Sequence, residues 1–253
     1  MKKLFCFLLA LVFTIGATGC SPSKKKLIVG LDDKFPPMGF RDESGALVGF
    51  DIDMAKAAGE KMGMEMEFQP INWSSKELEL SSKKVDLLWN GYTITEERKK
   101  LVHFSDPYLL NRQVIMVDAA SGVSSKADLN GHSVGVQKDS SAVDAINSDP
   151  ATASTFKEMV EYEDNIMAFQ DLAIGRTAAV VVDEIVAKYY LAKNDTNFVL
   201  LEEDFGDEEY GVGVRLEDND LYDKLQKALN EMKEDGTAAE ISSKWFGEDI
   251  VVK

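Results

Sequence analysis

The sequence predicts an α/β fold built on two largely parallel sheets. Short apolar, strand-like runs alternate with segments of helical period along most of the chain, which is the pattern of βαβ units. The 253 residues, 45% of them hydrophobic, are long for one domain and comfortable for two, each with its own core. In open parallel sheets, residues that touch a ligand sit in the loops at the carboxyl ends of strands, so each strand end is a place to look for function.

The first residues differ from the rest. Met1-Lys2-Lys3 is a short basic region, Leu4 to Ile15 is apolar but for Thr14, and small residues lead to Cys20. The apolar run is short for a bilayer span and suits the middle of a secretion signal. Its ending, GATGC, resembles a bacterial lipobox, in which the signal is cut before the cysteine and the cysteine receives lipid. The alternative is an ordinary signal cut nearby, with Cys20 incidental. Cys6 lies inside the signal, so no disulfide framework is expected after cleavage. Residues 1–19 are read as a lipoprotein signal peptide and 20–26 as a polar tether. The expectation is an exported protein, anchored by lipid through Cys20 on the outer face of the cytoplasmic membrane or in the periplasm.

The elements then follow in order. KLIVGL (26–31) reads as a strand. Phe50 to Met62 has helical period, with Gly63 placed as its C-cap. MEMEF (64–68) alternates as a half-buried strand. VDLLW (85–89) is another strand, followed by a helix start at Thr95. QVIMV (113–117) and HSVGV (132–136) are buried-strand candidates, and a helix begins near Ser140. A helix runs from Asp164 to Ile174, AAVVV (178–182) is a strand, and a helix follows from Asp183 to Ala192. YGVGV (210–214) is a strand, Asp220 to Lys233 an amphipathic helix, and Thr237 to Phe246 the last helix. The acidic stretch Glu202 to Glu209 and residues 118–128 read as solvated connections.

Charge excludes several classes of function. The formal net charge is −16, and it grows more acidic once Lys2 and Lys3 leave with the signal. Such a chain repels nucleic acid and anionic lipid beyond any anchor. His103 and His132 have no histidine or cysteine at ligand spacing, so they read as ordinary strand residues, and neither a metal site nor a cofactor is expected.

Four strand ends offer chemistry. After Leu31, DDKFPPMGF sets Asp32 beside Phe35, which suits a ligand part cationic and part flat, or is simply a polar turn with a core ring. After Trp89, NGYTITEER has Thr95 as N-cap with Glu96 and Glu97 in the first turn. Capping leaves Asn90, Gly91 and Thr93 unexplained. Arg98 stands against the helix dipole there, either to meet a carboxylate with its planar fork or to pair with a surface glutamate. After Val136, QKDSS ends in Ser140, a cap whose neighbouring free N–H groups suit an anion. After Val182, Asp183 either caps the next helix or waits as the counter-charge of an ammonium. Together these form the complementary image of a free α-amino acid.

The same stretches carry a family resemblance. FPPMGF, GALVGFDIDMAKA (45–57), NGYTITEERKK, FSDPY (104–108), VGVQKDSS (134–141), AIGRTAAVVVD (173–183), YGVGV and KWFG (244–247) stand in an order that resembles the solute-binding proteins of bacterial polar-amino-acid ABC transporters. The resemblance spans Lys26 to Gly247. It implies a two-lobe periplasmic-binding-protein-like fold with two hinge strands and a ligand cleft between the lobes. It places lobe 1 at 27–109 and 206–253 and lobe 2 at 110–205, with crossings near Tyr108 to Arg112 and near Glu202 to Gly206. It also implies carboxylate binding by Arg98 with Gly91 and Thr93, donors from Ser140 and Ser141, and ammonium binding by Asp183. Phe35 and Trp73 would flank the ligand, with Asp32, Asn90 and Gln137 reading its side chain. The family usually has glycine where this chain has Asp139. The implied partners are a free amino acid and a membrane ABC permease, the protein acting as a monomer without chemistry. Two other readings stand beside this one: a cyclohexadienyl-dehydratase-like enzyme, against which Asp183 is retained, and a ligand-sensing subunit.

Overall fold

A computed structural model describes residues 25–253; the signal and Cys20 lie outside the described residues. Strand β1 (Lys26–Leu31) is followed by β2 (Lys34–Phe35), β3 (Gly39–Arg41) and β4 (Leu47–Val48), which form a small antiparallel sheet of their own. Strands so short carry no alternation for sequence to show. Helix α1 (Phe50–Met62) has its expected bounds, and Gly63 closes it at φ 67 with its N–H on the Glu60 carbonyl. Then come β5 (Glu65–Pro70), α2 (Lys76–Ser81), β6 (Leu87–Leu88) and β7 (Val102–Phe104).

The next part of the chain builds a second sheet. Its elements are β8 (Leu109–Asp118), β9 (Ser133–Gln137), α3 (Ser141–Asn147), α4 (Pro150–Ala153), β10 (Glu158–Tyr162), α5 (Asn165–Ala173), β11 (Ala179–Asp183), α6 (Glu184–Lys193) and β12 (Phe198–Tyr210). Strand β13 (Gly213–Arg215) then returns to the first sheet, and α7 (Asn219–Glu234) and α8 (Thr237–Phe246) follow. The strand orders are β5-β1-β6-β13-β7 and β10-β9-β11-β8-β12. Where the chain passes between sheets, β8 and β12 lie side by side, antiparallel, from Leu109↔Tyr210 to Arg112↔Asp207.

Burial explains the continuous apolar strands. In β11, Val180 and Val182 join a cluster with Phe169, Leu172 and Val186, while Ala179 and Val181 join another with Leu129, Val134 and Ile146. Both faces are covered by other elements, so the strand needs no polar alternation. On the first sheet, Leu27, Val29 and Leu87 pack with Met54, Leu225 and Met232 of α1 and α7.

Several expectations need correction. The helix expected at Thr95 is a single 3-10 turn, Arg98–Lys100. Its cap forms, with the Arg98 N–H on Thr95 Oγ1 at 3.1 Å, but β7 must pair with β13 two residues later and ends the turn. Glu202 to Glu209 is part of a thirteen-residue strand, not a connection. It lies at a sheet edge, where one side pairs with β8 and the acidic side chains keep water on the other. The strand expected over 85–89 shrinks to Leu87–Leu88, and Gly211 and Val212 split the run 210–214 between β12 and β13. The expected 118–128 connection ends in a short 3-10 turn, Lys126–Leu129. His103 does lie in a strand, stacked on Tyr222 at 3.6 Å, whereas His132 sits exposed in the turn before β9.

Candidate functional site

The carboxyl ends of β1, β6, β9 and β11 face one another across the gap between the two large sheets. Asp32, Phe35, Trp73, Asn90, Gly91, Thr93, Arg98, Gln137, Ser140, Ser141 and Asp183 line a single narrow cavity there. All eleven residues singled out in the sequence are thus brought together. The cavity is closed over by contacts between the two halves: Lys34 to Asp164 at 2.6 Å, Asn72 to Glu163 at 2.8 Å, and Gln137 to Asp32 at 2.7 Å.

One end of the cavity is positive. Arg98 is 7% exposed. Its guanidinium donates to the carbonyls of Thr93 (3.0 Å) and Asp139 (3.4 Å) and lies 5.0 Å over the Tyr92 ring. The surface pairing left open by the sequence does not form, since Glu96 and Glu97 are taken by Lys99 and Lys100. No described carboxylate forms an ion pair with Arg98. Beside it is Lys76, 3% exposed, whose ammonium donates to the carbonyls of Asp139 (3.0 Å) and Trp73 (3.3 Å). Burial, then the Arg98 charge, pull the Lys76 pKa down; Glu77 at 3.4 Å offsets part of this. Asp139, which stands where the family usually has glycine, has φ 53, a left-handed conformation that aspartate adopts more readily than most residues. That conformation turns its carbonyl to both cations. Ser140 is the N-cap of α3 but makes no capping bond with its side chain, and its buried hydroxyl has no partner. Ser141 Oγ stands 3.1 Å from Thr93 Oγ1.

The other end is negative. Asp183, 5% exposed, makes no side-chain cap on α6. Its Oδ1 accepts from Tyr210 Oη (2.6 Å), Asn111 Nδ2 (2.7 Å) and Gln113 Nε2 (3.1 Å). Burial, and then the neighbouring Glu208 charge, push its carboxyl up to about 7. Among the described residues no lysine, arginine or histidine forms an ion pair with it. A carboxylate held this way is stabilised only when a cation arrives.

The remaining wall carries Asp32 and Asn90. Asp32 accepts from the Lys34 N–H (2.9 Å) and from Gln137 Nε2 (2.7 Å), and burial raises its pKa. Asn90 Oδ1 is buried without a partner. Gly91 is required on two counts. Its φ is 58, and a Cβ there would lie 2.9 Å from the Phe35 ring and 3.1 Å from the Tyr210 ring.

A family model described as bacterial extracellular solute-binding proteins, family 3, matches residues 27–248. The chain belongs to this family. It is 34% identical over 257 residues to the arginine-binding extracellular protein ArtP of Bacillus subtilis (strain 168), covering 97% of this chain and 98% of that protein. It is 32% identical over 226 residues to the L-cystine-binding protein TcyJ of Escherichia coli (strain K12), covering 88% of this chain and 84% of that protein. Among solved structures it is similar to an ABC uptake transporter substrate binding protein from Streptococcus pneumoniae with bound histidine. That likeness has a TM-score of 0.87 at 36% identity and covers 90% of this chain and 95% of the other. The fold is therefore the two-lobe periplasmic-binding-protein-like fold, and the two large sheets are the cores of its lobes.

In this family-3 solute-binding protein the sequence reading missed three kinds of residue that support the cleft. Lys76 opens α2, so it stands against a helix dipole just as Arg98 was thought to, but no helix had been expected there. Asn111 and Gln113 lie two apart on one face of β8, and a polar pair at that spacing on a face otherwise made of Leu109, Ile115 and Val117 is a readable signal. Asp51 accepts from the Gly91 N–H (2.7 Å) and Tyr108 Oη (2.9 Å), fixing the glycine in place; burial pushes its carboxyl up to about 7. An acid among the buried positions of α1 was its signal.

Proposed function

We propose that this solute-binding protein captures a free α-amino acid with a cationic or hydrogen-bond-donating side chain, outside the cell, and delivers it to a membrane ABC permease. One observation carries the reading. The cavity holds a buried guanidinium and a buried carboxylate, Arg98 and Asp183, neither with a protein counter-ion among the described residues. A zwitterion satisfies both. Arg98, Gly91, Thr93, Ser140 and Ser141 take its carboxylate, and Asp183 takes its ammonium. Asp32 and the free acceptor of Asn90 then favour a side chain that donates, with Phe35 and Trp73 flanking it. The relatives named for arginine, histidine and cystine agree with an amino-acid ligand of this general kind.

Residues 27–109 and 206–253 form one lobe and 110–205 the other, hinged where β8 and β12 pair. The open form holds the ligand on the first lobe, and closure adds Asp183 and the serine loop. Charged hydrogen bonds contribute about 1.5–3 kcal/mol each, so a few are enough to make the closed form dominate. The signal ends before Cys20, which carries the lipid anchor, and the protein acts as a monomer without turnover.

Isothermal titration with the twenty amino acids and L-cystine tests this. At least one should bind tightly, with L-arginine or L-histidine preferred over L-glutamate. Failure of all to bind, or turnover of prephenate or arogenate, would overturn the reading.

A further inference from the structure

Glu208 lies on β12 one strand period from Tyr210, so both side chains point to the same face. Its Oε2 accepts from Asn111 Nδ2 (3.1 Å), Gln113 Nε2 (3.0 Å) and Thr93 Oγ1 (3.1 Å). The first two of these nitrogens also donate to Asp183 Oδ1. Two shared donors hold the two carboxylates on the order of 5 Å apart or less. Neither acid forms an ion pair with any described cation. The nearest basic residue on β8, Arg112, is occupied by Glu184 and Asp204. The other groups packed on the pair are the hydroxyls of Tyr210, Thr93 and Ser141; Arg98 lines the same cavity but donates to main-chain carbonyls. Asn111 and Gln113 are each more than nine-tenths buried, and their side-chain oxygens have no partner. Two acids and two unused acceptors thus converge where no protein cation reaches.

We infer that Glu208, by sharing two donors with Asp183, keeps a proton on Asp183 until a ligand ammonium arrives, so that capture of the ammonium is coupled to release of that proton. This rests on the assignment of Asp183 to the ammonium of an amino acid. A carboxyl more than nine-tenths buried and this close to a second, half-buried acid does not ionise readily. In the ligand-free protein Asp183 therefore keeps its proton. An arriving ammonium supplies the missing positive charge, Asp183 ionises, and the proton leaves to solvent. No bond is made or broken other than that O–H. The upward displacement of the Asp183 carboxyl, to about 7, agrees with this. Glu208 is a positioning residue, acting through Asp183. Its consequence is that the protein lets go of its ligand more readily as the surroundings turn acid.

The test is titration calorimetry of the wild type with L-arginine, and with the other amino acids and L-cystine in turn, in buffers of different ionisation enthalpy. Proton release should approach one per ligand near about pH 6 and vanish by about pH 9, and binding should weaken about tenfold or more between about pH 8 and pH 5.5. Glu208→Gln should still bind but release clearly less proton near about pH 6 than the wild type, and Glu208→Asp should restore part of the release. Asp207→Asn, an exposed neighbour, should behave as the wild type. Binding whose enthalpy is independent of buffer, and whose affinity is flat with pH, would overturn this inference alone. Absence of binding by any amino acid would overturn the reading of the site and this inference with it.

Discussion

Arg98 and Lys76 each stand at the beginning of a helical turn, where the positive end of the backbone dipole disfavours a cation. Both are buried beside the cleft and both reach the Asp139 carbonyl. Their roles differ in form. The guanidinium offers a planar two-point fork that an ammonium lacks. Arg98→Lys is therefore expected to weaken amino-acid binding by about tenfold or more, measured by calorimetry, with the far-UV circular dichroism unchanged. Lys76 is expected to act differently. Its burial disfavours its charge, so Lys76→Met should leave the melting temperature of the ligand-free protein unchanged or higher while weakening binding about tenfold. Of these two residues only Arg98 was legible beforehand. Its oddity was set off by a recognisable cap, whereas the short helix that makes Lys76 odd has no signal strong enough to read.

Elements were legible where their signals are local. The bounds of α1 and α8 follow from helical period and left-handed glycine caps, Gly63 and Gly247, contained within a dozen or so residues. Strand β12 had no such signal. Its acidic run looks like a solvated loop, and it becomes a strand because β8, distant in sequence, supplies the hydrogen bonds. The ladder is irregular between Leu200 and Asp207, and Arg112 ties that region to α6 through Asp204 and Glu184. This tie is partly solvated, and ion pairs of that kind contribute little. Arg112→Ala should cost no more than about 1 kcal/mol in urea unfolding. The 3-10 turn at Arg98 is the converse case: good capping chemistry was overruled by the need of β7 to reach β13.

At the scale of the molecule, the two lobes meet around buried acids, and this shapes how stability responds to pH. Asp183 and Asp51 both have carboxyls pushed up to about 7 by burial, from an ordinary value near 3.8. A group whose folded pKa is raised contributes stability that is fully present below its unfolded pKa and is lost as pH rises through the folded one. The melting temperature of the ligand-free protein should therefore fall between about pH 5 and pH 8, measured by scanning fluorimetry. The increase in melting temperature on adding a bound amino acid should grow over the same interval, because the ammonium needs Asp183 ionised.

The α/β class, the principal helices and eight residues of the cleft could be read from the linear chain, while Trp73, Gln137 and Ser141 came from the family it resembles. Each feature read from the chain rests on chemistry written in a short stretch: a period, a cap, or a charged group at a strand end. The partnership of Glu208 with Asp183, the reach of Lys76 to Asp139 and the support of Gly91 by Asp51 could not. Each joins residues from distant parts of the chain through donors and burial that exist only once the tertiary fold is assembled, and no local pattern encodes a contact of that kind.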